Sequence, residues 1–363
     1  AVPAGPRFAL AAALAAALVL LAPWAVMHRG VFGREQIVDT PVYQRYGDAM
    51  ARGQVPFRDF GLEYPPGALP VFALPSLGQV DDYDGYVRHF EWLMQAAGVL
   101  AIGCSAAAAV ALRRSRGRLL LAAGAPALLP LALGSVHLSR FDWWPALLTQ
   151  AALLLLVLGR WRPGGAVLGL SFITKIYAGV LLPLAVAAAW KERGRRAGVA
   201  TVAWFVAAVA AVLVPFLILS PGGVGDMISR QTTRPLQVES LGAGILLAAH
   251  QAFHLGLTLE SSHGSQNIAG GLPDAIGALQ TVLQVLVVVA LWLGLSRGPV
   301  ERERLVRGAA ALVVAFVALG KVLSPQYLVW LLPLVPLVGG RRGLRATGLL
   351  LVACVLTQLW FPF

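Results

Sequence analysis

The chain has 363 residues, of which 58% are hydrophobic and 13% charged, with a mean hydropathy of +0.73 and a formal net charge of +12. That composition excludes an ordinary soluble globular domain. Several apolar runs reach the roughly 20 residues a helix needs to cross hydrocarbon, so the expected class is an all-α polytopic membrane protein. A transmembrane β-barrel would show period-two alternation in segments of about ten residues, and none is visible.

The positive charge at first suggests nucleic acid, but its placement argues otherwise. Most Lys and Arg fall in short clusters between apolar runs: RRSRGR at 113–118, RWR at 160–162, KERGRR at 191–196, a group at 297–307 and RRGLR at 341–345. This is the positive-inside pattern of cytoplasmic loops, which set topology and touch anionic membrane lipid. No nucleic-acid partner is expected.

In chain order, the apolar run at 8–27 is long for a signal sequence and precedes no small-x-small cleavage site. It reads as a retained first helix that leaves a cytoplasmic N-terminus. A long outer segment follows at about 28–85, and a second helix at about 86–112 returns to RRSRGR. Helices at about 119–136 and 143–159 form a hairpin whose outer turn is HLSRFDWW. Those at about 164–174 and 177–190 form another, with Thr174 and Lys175 at its outer turn.

A helix at about 198–219 exits again, and a second long outer segment covers about 220–273. Its apolar stretch at about 241–257 would break the parity of the later Arg clusters if it crossed, so it is expected to be interfacial or re-entrant. Helices at about 275–296, 305–322, 327–339 and 346–361 complete about eleven spans. The two cysteines, Cys104 and Cys354, lie inside apolar helices and give no disulfide or metal framework. With no internal repeat and no soluble second domain, a single transmembrane domain over 1–363 is expected.

One consequence directs the functional reading. The cytoplasmic loops are short and basic, whereas the unusual polar residues fall on the outer side. Asp39 opens the stretch DTPVYQRYGDAMARGQVPFRDFGLEYPPG, where Tyr43, Arg45 and Tyr46 are spaced for a short helix along the membrane surface. Its aromatics suit interfacial anchors or a platform for a sugar ring. Pro65 and Pro66 stop a helix and bias Tyr64 towards extended backbone, so Asp59, Glu63 and Tyr64 sit on a stiff loop. That loop reads either as a functional edge or as a rigid connector carrying surface acids.

HLSRFDWW sets Arg140 and Asp142 beside Trp143 and Trp144, which fits a functional pair or a simple ion pair at an aromatic belt. Lys175 lies between two apolar helices, where an ammonium is expensive and functional by default unless it snorkels to the interface. RQTTRPLQVES supplies Arg230 and Arg234 with Gln237 and Glu239, and it leads on to His263. KVLSPQYLVW places Lys321, Ser324, Gln326 and Tyr327 at a junction broken by Pro325. Outer loops are normally poor in cations, so Arg140, Lys175, Arg230, Arg234 and Lys321 together suit an anionic lipid phosphate.

Asp81, Asp82 and Asp84 are spaced to take a divalent ion, but acids at a helix start also stabilise its N-terminus. There is no Walker loop, HExxH, GxSxG or CxxC.

The first-loop stretch resembles the signature of glycosyltransferase family 87, a group of the GT-C superfamily. RFDWWPALL, SFITKIYAGVLLPL, RPLQVESL, SHGSQN and KVLSPQYLVWLLPL resemble further signatures of its relatives, in the expected order. The resemblance implies a GT-C-like fold in the plasma (inner) membrane, with short interfacial helices in its two long outer loops. It implies transfer of a sugar, mannose first and arabinofuranose as the alternative, from a polyprenyl-phosphate donor to a glycolipid or glycan acceptor outside the cytoplasm. Characterised relatives include α-mannosyltransferases that extend phosphatidylinositol mannosides.

In such enzymes an Asp of the first outer loop is the base, a place that Asp39 matches. Arg234, Lys175, Arg140, Lys321 and Arg230 are then expected on the donor phosphate. Tyr43, Asp59, Glu63, Tyr64, Asp142, Gln237, Glu239, Gln326 and Tyr327 are expected around the sugar or acceptor. Where some relatives carry a His near SPQYLVW, this chain has Gln326 and Tyr327, so that role is not carried over. No cofactor is required; a divalent metal remains an option. The rival class is a lipid-linked sugar flippase or other transporter, which would place polar groups at mid-membrane on broken helices and show internal repeats.

Overall fold

The computed structural model describes residues 3–22, 24, 38–299 and 301–361. It is mostly helical. α1 (Pro6–Leu21), α2 (Thr40–Ala51), α3 (Leu69–Ser76), α4 (Tyr83–Ala111), α5 (Arg116–Leu133), α6 (Val136–Ser139), α7 (Trp143–Val157) and α8 (Trp161–Thr174) come first. α9 (Leu182–Arg193), α10 (Arg195–Leu219), α11 (Pro221–Thr232), α12 (Leu241–Phe253), α13 (Gly271–Ser296), α14 (Arg302–Ala318) and α15 (Gly340–Trp360) follow. Among the described residues five helices, α4, α5, α10, α13 and α15, are long and apolar enough to cross a membrane. The last residues of the first predicted helix, apart from Trp24, and the loop up to residue 37 lie outside the described residues.

Contacts between the connecting turns show that the bundle has two chemically different ends. Arg114 pairs with Glu303 at 2.5 Å and donates to the Leu337 carbonyl at 2.7 Å. Arg118 reaches the Gly340 carbonyl, and Lys191 donates to the carbonyl of Gly298 at 2.7 Å. The basic clusters that are far apart in sequence therefore share one end, where they also satisfy backbone carbonyls of the connecting turns. Asp39, Arg140, Lys175, Gln237 and Ser324 share the other end.

Two helices pack through glycines. Gly165 and Gly169 lie four residues apart on α8 and face α10, where a Cβ on Gly169 would stand 2.5 Å from the Phe205 carbonyl oxygen. On α10 the buried residues are Gly198, Thr201 and Phe205, a single stripe, and exposed apolar side chains such as Val202, Val206 and Ile218 cover much of the rest. This is small-residue packing between membrane helices, in which backbone approach replaces the hydrophobic effect.

The two long loops fold over the polar end. An aromatic cluster holds the first: Tyr43 of α2 lies 4.7 Å from the Phe72 ring of α3, 5.4 Å from Phe90 of α4 and 5.7 Å from Phe141. Gly67 is pressed against the end of α8, where a Cβ would meet the Ile173 carbonyl oxygen at 2.7 Å, and Trp144 donates to its carbonyl at 3.2 Å.

The second loop departs from the all-α expectation. Besides α11 and α12 it contains β1 (Leu236–Gln237), β2 (Thr258–Ser262) and β3 (Ser265–Ala269), an antiparallel sheet of order β1-β3-β2. His263 and Gly264 both take positive φ, 54° and 66°, which is what a two-residue hairpin turn between twisted strands requires. The buried Asn267 amide clamps that turn by donating to the Ser262 carbonyl at 2.9 Å and the Ser265 carbonyl at 3.2 Å.

Several boundaries differ from the sequence reading for local reasons. The helix expected at 119–136 ends at Leu133 because Gly134, with φ 75°, terminates it. The helix expected at 177–190 begins as a 3₁₀ turn, Ile176–Leu181, before α9. The helix expected at 327–339 is replaced by two 3₁₀ turns, Pro325–Leu331 and Val335–Leu337. Pro325, Pro333 and Pro336 recur there too often for continuous i→i−4 bonding. Pro66 opens a 3₁₀ turn, Pro66–Ala68, whereas the sequence suggested only a stop. The stretch expected at 241–257 is helical over Leu241–Phe253, too short to span. Asp82 caps α4 by accepting from the Gly85 amide at 3.0 Å, and Asp81 pairs with Arg52 at 2.5 Å, so both acids have structural uses.

Gly169→Val should separate α8 from α10. A loss of about 1–3 kcal/mol is expected, read as a lower melting temperature in detergent, whereas Gly124→Val, where added bulk meets open space, should melt close to wild type.

Candidate active site

The site is built on three consecutive residues between α6 and α7. Arg140 is extended at the end of α6 and only 5% exposed. Its guanidinium pairs with the Asp39 carboxylate, which sits at the N-terminus of α2 and also accepts from the Tyr43 hydroxyl at 3.1 Å. Burial pushes the Tyr43 phenol well above its ordinary value, so it stays protonated and remains a donor to Asp39. Burial pulls the Arg140 guanidinium down to about 10, leaving it charged at neutral pH.

Asp142 is 1% exposed and serves the other side. Its Oδ1 accepts from Lys175 Nζ at 2.6 Å and from Trp330 Nε1 at 2.7 Å. Lys175 Nζ lies 4.6 Å from the Phe141 ring centroid, 5.0 Å from Tyr327 and 5.1 Å from Trp330, within cation–π range of each. Trp330 stacks on Tyr177 at 3.9 Å and on Tyr327 at 4.2 Å. The neighbouring Arg140 and Asp142 thus form no simple pair with each other; each takes a partner from a distant segment. Lys175 does not snorkel freely, because three rings and a carboxylate hold it.

These residues open on a cavity of about 740 Å³. Asp39, Glu63, Tyr64, Arg140, Lys175, Arg234, Gln237, Glu239, Gln326 and Tyr327 all line it. Val42, Ile176, Phe316, Val322 and Phe361 give part of its wall an apolar character. Arg234 is steadied by the hairpin, donating to the His263 carbonyl at 3.3 Å and to Ser265 Oγ at 3.2 Å. Gln237 donates through Nε2 to Ser324 Oγ at 3.1 Å, and its amide donates to the Lys321 carbonyl at 3.0 Å. Burial raises the Glu239 carboxyl above its ordinary value, against the opposing pull of Arg234 and Arg140.

Five of the residues picked from the sequence do not line this cavity. Tyr43 and Asp142 act behind it, on Asp39 and Lys175. Asp59 is exposed and tied up, accepting from the Val55 amide at 2.7 Å and from Arg58 at 2.8 and 2.9 Å, which holds its carboxyl down at about 2. Lys321 acts behind the wall, where its backbone carbonyl accepts from the Gln237 backbone amide. Arg230 lines a smaller side chamber. The residue the sequence reading missed is Trp330; its signal is its spacing three residues after Tyr327, which one turn of 3₁₀ helix places on the same face. Among the described residues, no group of three or more His, Cys, Asp or Glu converges as metal ligands would.

The model of glycosyltransferase family 87 matches residues 62–325. The chain belongs to glycosyltransferase family 87. A comparison with curated proteins finds no match. Membership makes this family-87 chain a glycosyltransferase, and its apolar helices make it a membrane one. The matched stretch holds Arg140, Lys175, Arg234 and Gln237, while Asp39 precedes it.

Two outcomes follow for stability. Asp142→Ala leaves the Lys175 ammonium beside aromatic rings without its counter-ion, and about 3–5 kcal/mol should be lost. The double variant Asp142→Asn/Lys175→Met should melt much closer to wild type, since both charges go together. For Glu239, a raised carboxyl contributes stability that is fully present below its ordinary value of 4.5 and is lost as pH rises through its folded value. Glu239→Gln should therefore melt higher than wild type at pH 7, with the gain vanishing as melts are repeated towards pH 4.

Proposed function

We propose that the chain transfers a sugar from a polyprenyl-phosphate donor to a hydroxyl of a glycolipid or glycan acceptor, with inversion at the anomeric carbon. One observation carries this reading: the Asp39 carboxylate lines a cavity in which Arg140, Lys175 and Arg234 converge. A base and a set of fixed cations around one space are what such a displacement needs.

In the reaction, the acceptor oxygen attacks the anomeric carbon as the bond from that carbon to the phosphate oxygen breaks. The acceptor hydroxyl proton passes to Asp39. The departing polyprenyl phosphate gains charge, so Arg140, Lys175 and Arg234 stabilise the transition state more than the ground state. Glu63, Tyr64, Gln237, Glu239, Gln326 and Tyr327 orient sugar hydroxyls, with Tyr43 and Asp142 acting through Asp39 and Lys175. The apolar wall receives the start of the prenyl chain. The cations in this scheme are side chains, and a metal is not called for.

Mannose is the first choice of sugar, on the family resemblance, and arabinofuranose the second. The positive-inside rule puts the basic end in the cytoplasm and the cavity outside it, in the plasma membrane. The shorter apolar segments then complete eleven passes of a single GT-C-like domain, with α2, α3, α11 and α12 near the outer membrane surface. A transporter would keep its polar groups at mid-membrane, whereas here they gather at one end of the bundle.

The test is radiolabel transfer by purified protein from polyprenyl-phosphate-mannose to a lipid extract. Asp39→Asn keeps the shape of the side chain and removes the base, so activity should fall about 10²–10⁴-fold. The buried Arg140 also loses its counter-ion, so the melting temperature should fall too, and transfer is compared at a temperature where the variant is still folded. If the variant retains most of its transfer, the base lies elsewhere. If the wild type is inactive with this donor and also with polyprenyl-phosphate-arabinose, the proposed donor class is wrong.

A further inference from the structure

Beside the main cavity lies a side chamber of about 280 Å³ between α11, the first outer loop and the β2–β3 turn. Its lining is Glu63, Arg230, Gln231, Arg234, Ser262, His263 and Gly264. All of these except Arg230 also line the main cavity, so the two spaces adjoin. The main cavity has an apolar wall; the side chamber has no apolar side chain in its lining. Small-molecule sites are usually lined mostly by apolar groups with a few polar ones. A lining of polar side chains, with their carbon stems between the polar tips, suits a saccharide, which presents hydroxyls and C–H faces together.

The chamber is also braced. Gln231 donates to the Glu63 carbonyl at 2.7 Å, joining α11 to the first loop. Arg234 holds the hairpin through His263 and Ser265, and Thr233 Oγ1 lies 3.5 Å from His263 Nε2. Arg230 and His263 are exposed at its mouth. The chamber is thus a braced polar recess beside the space that Asp39 lines.

We infer that this chamber is the acceptor subsite, and that it takes the carbohydrate end of the acceptor, with Arg230, Gln231 and His263 contacting the sugar unit next to the one that is extended. The inference rests on the transferase reading. It assigns the two spaces by chemistry: the part-apolar cavity holds the lipid-linked donor, and the polar chamber holds a saccharide that arrives from the aqueous side. Arg230 then leaves the donor-phosphate set in which the sequence alone had placed it.

The experiment compares two probes, octyl mannoside and octyl dimannoside, as acceptors for radiolabelled polyprenyl-phosphate-mannose. Wild type is set against Arg230→Ala and His263→Asn; Asn tolerates the positive φ at that turn, so the hairpin is kept. The disaccharide probe should show a lower KM than the monosaccharide in wild type. Each variant should raise the disaccharide KM about tenfold, the effect of losing about 1.4 kcal/mol of binding, with little change in the monosaccharide KM or the donor KM. Equal KM values for the two probes in wild type, unchanged acceptor KM in both variants, or a rise in donor KM instead would each overturn the subsite. A wild type that transfers to neither probe but does transfer to a lipid extract overturns the saccharide assignment alone. One that transfers to nothing overturns the transferase reading and this inference with it.

Discussion

The tripeptide Arg140-Phe141-Asp142 is the point on which the polar end depends. Arg140 binds Asp39 of the first loop, Phe141 sits among Tyr43, Tyr64 and Phe72, and Asp142 holds Lys175 and Trp330. Four segments that are remote in sequence meet at these three residues. The backbone turns from extended at Arg140 (φ −123°, ψ 147°) to helical at Asp142 (φ −70°, ψ −18°), so the two side chains are not held on one strand face and serve different ion pairs. Burial makes the arrangement stringent, because a charge out of water is tolerable only with its partner in place.

How much of this was legible in the sequence depended on the range of the interaction. The Arg clusters were legible as a shared end of the bundle, since charge placement between apolar runs is a local signal and the contacts of Arg114, Arg118 and Lys191 bring those loops together. Lys175 was legible as an anomaly because an ammonium flanked by apolar helices has no bland explanation. Its partner was not, because 33 residues separate it from Asp142, and the adjacent Arg140 offered a simpler pairing. Asp59 misled for a related reason: its neighbour Arg58 and the Val55 amide neutralise it on the loop itself, a use invisible to a search for unusual acids. The sheet was missed because β1 is two residues long and the β2–β3 strands are polar and serine-rich, without the β-branched alternation that marks strands.

The fold divides its labour along its length. The helical bundle supplies apolar surface and close glycine packing, as between α8 and α10, and its basic residues tie the α4–α5 turn to α14 and the start of α15 through Arg114 and Arg118. The opposite end is built by loops pinned at a few points: Gly67 under Trp144, Gln231 on Glu63, Gln237 on Ser324. Functional residues on loops are precise only when such contacts fix them. The chain places its pins at the cavity rim rather than in the helices beneath.

The crossed ion pairs have a consequence for turnover. Because Asp39 neutralises Arg140 and Asp142 neutralises Lys175, two of the three cations lining the cavity are tethered to a carboxylate of the chain, while Arg234 is held by neutral groups of the hairpin. In the proposed reaction, an arriving phosphate shares each tethered cation with its carboxylate. When the spent lipid phosphate departs, Asp142 still holds Lys175, and Asp39 recovers its hold on Arg140 once it gives up the proton it took, so loss of that proton resets the site for the next donor.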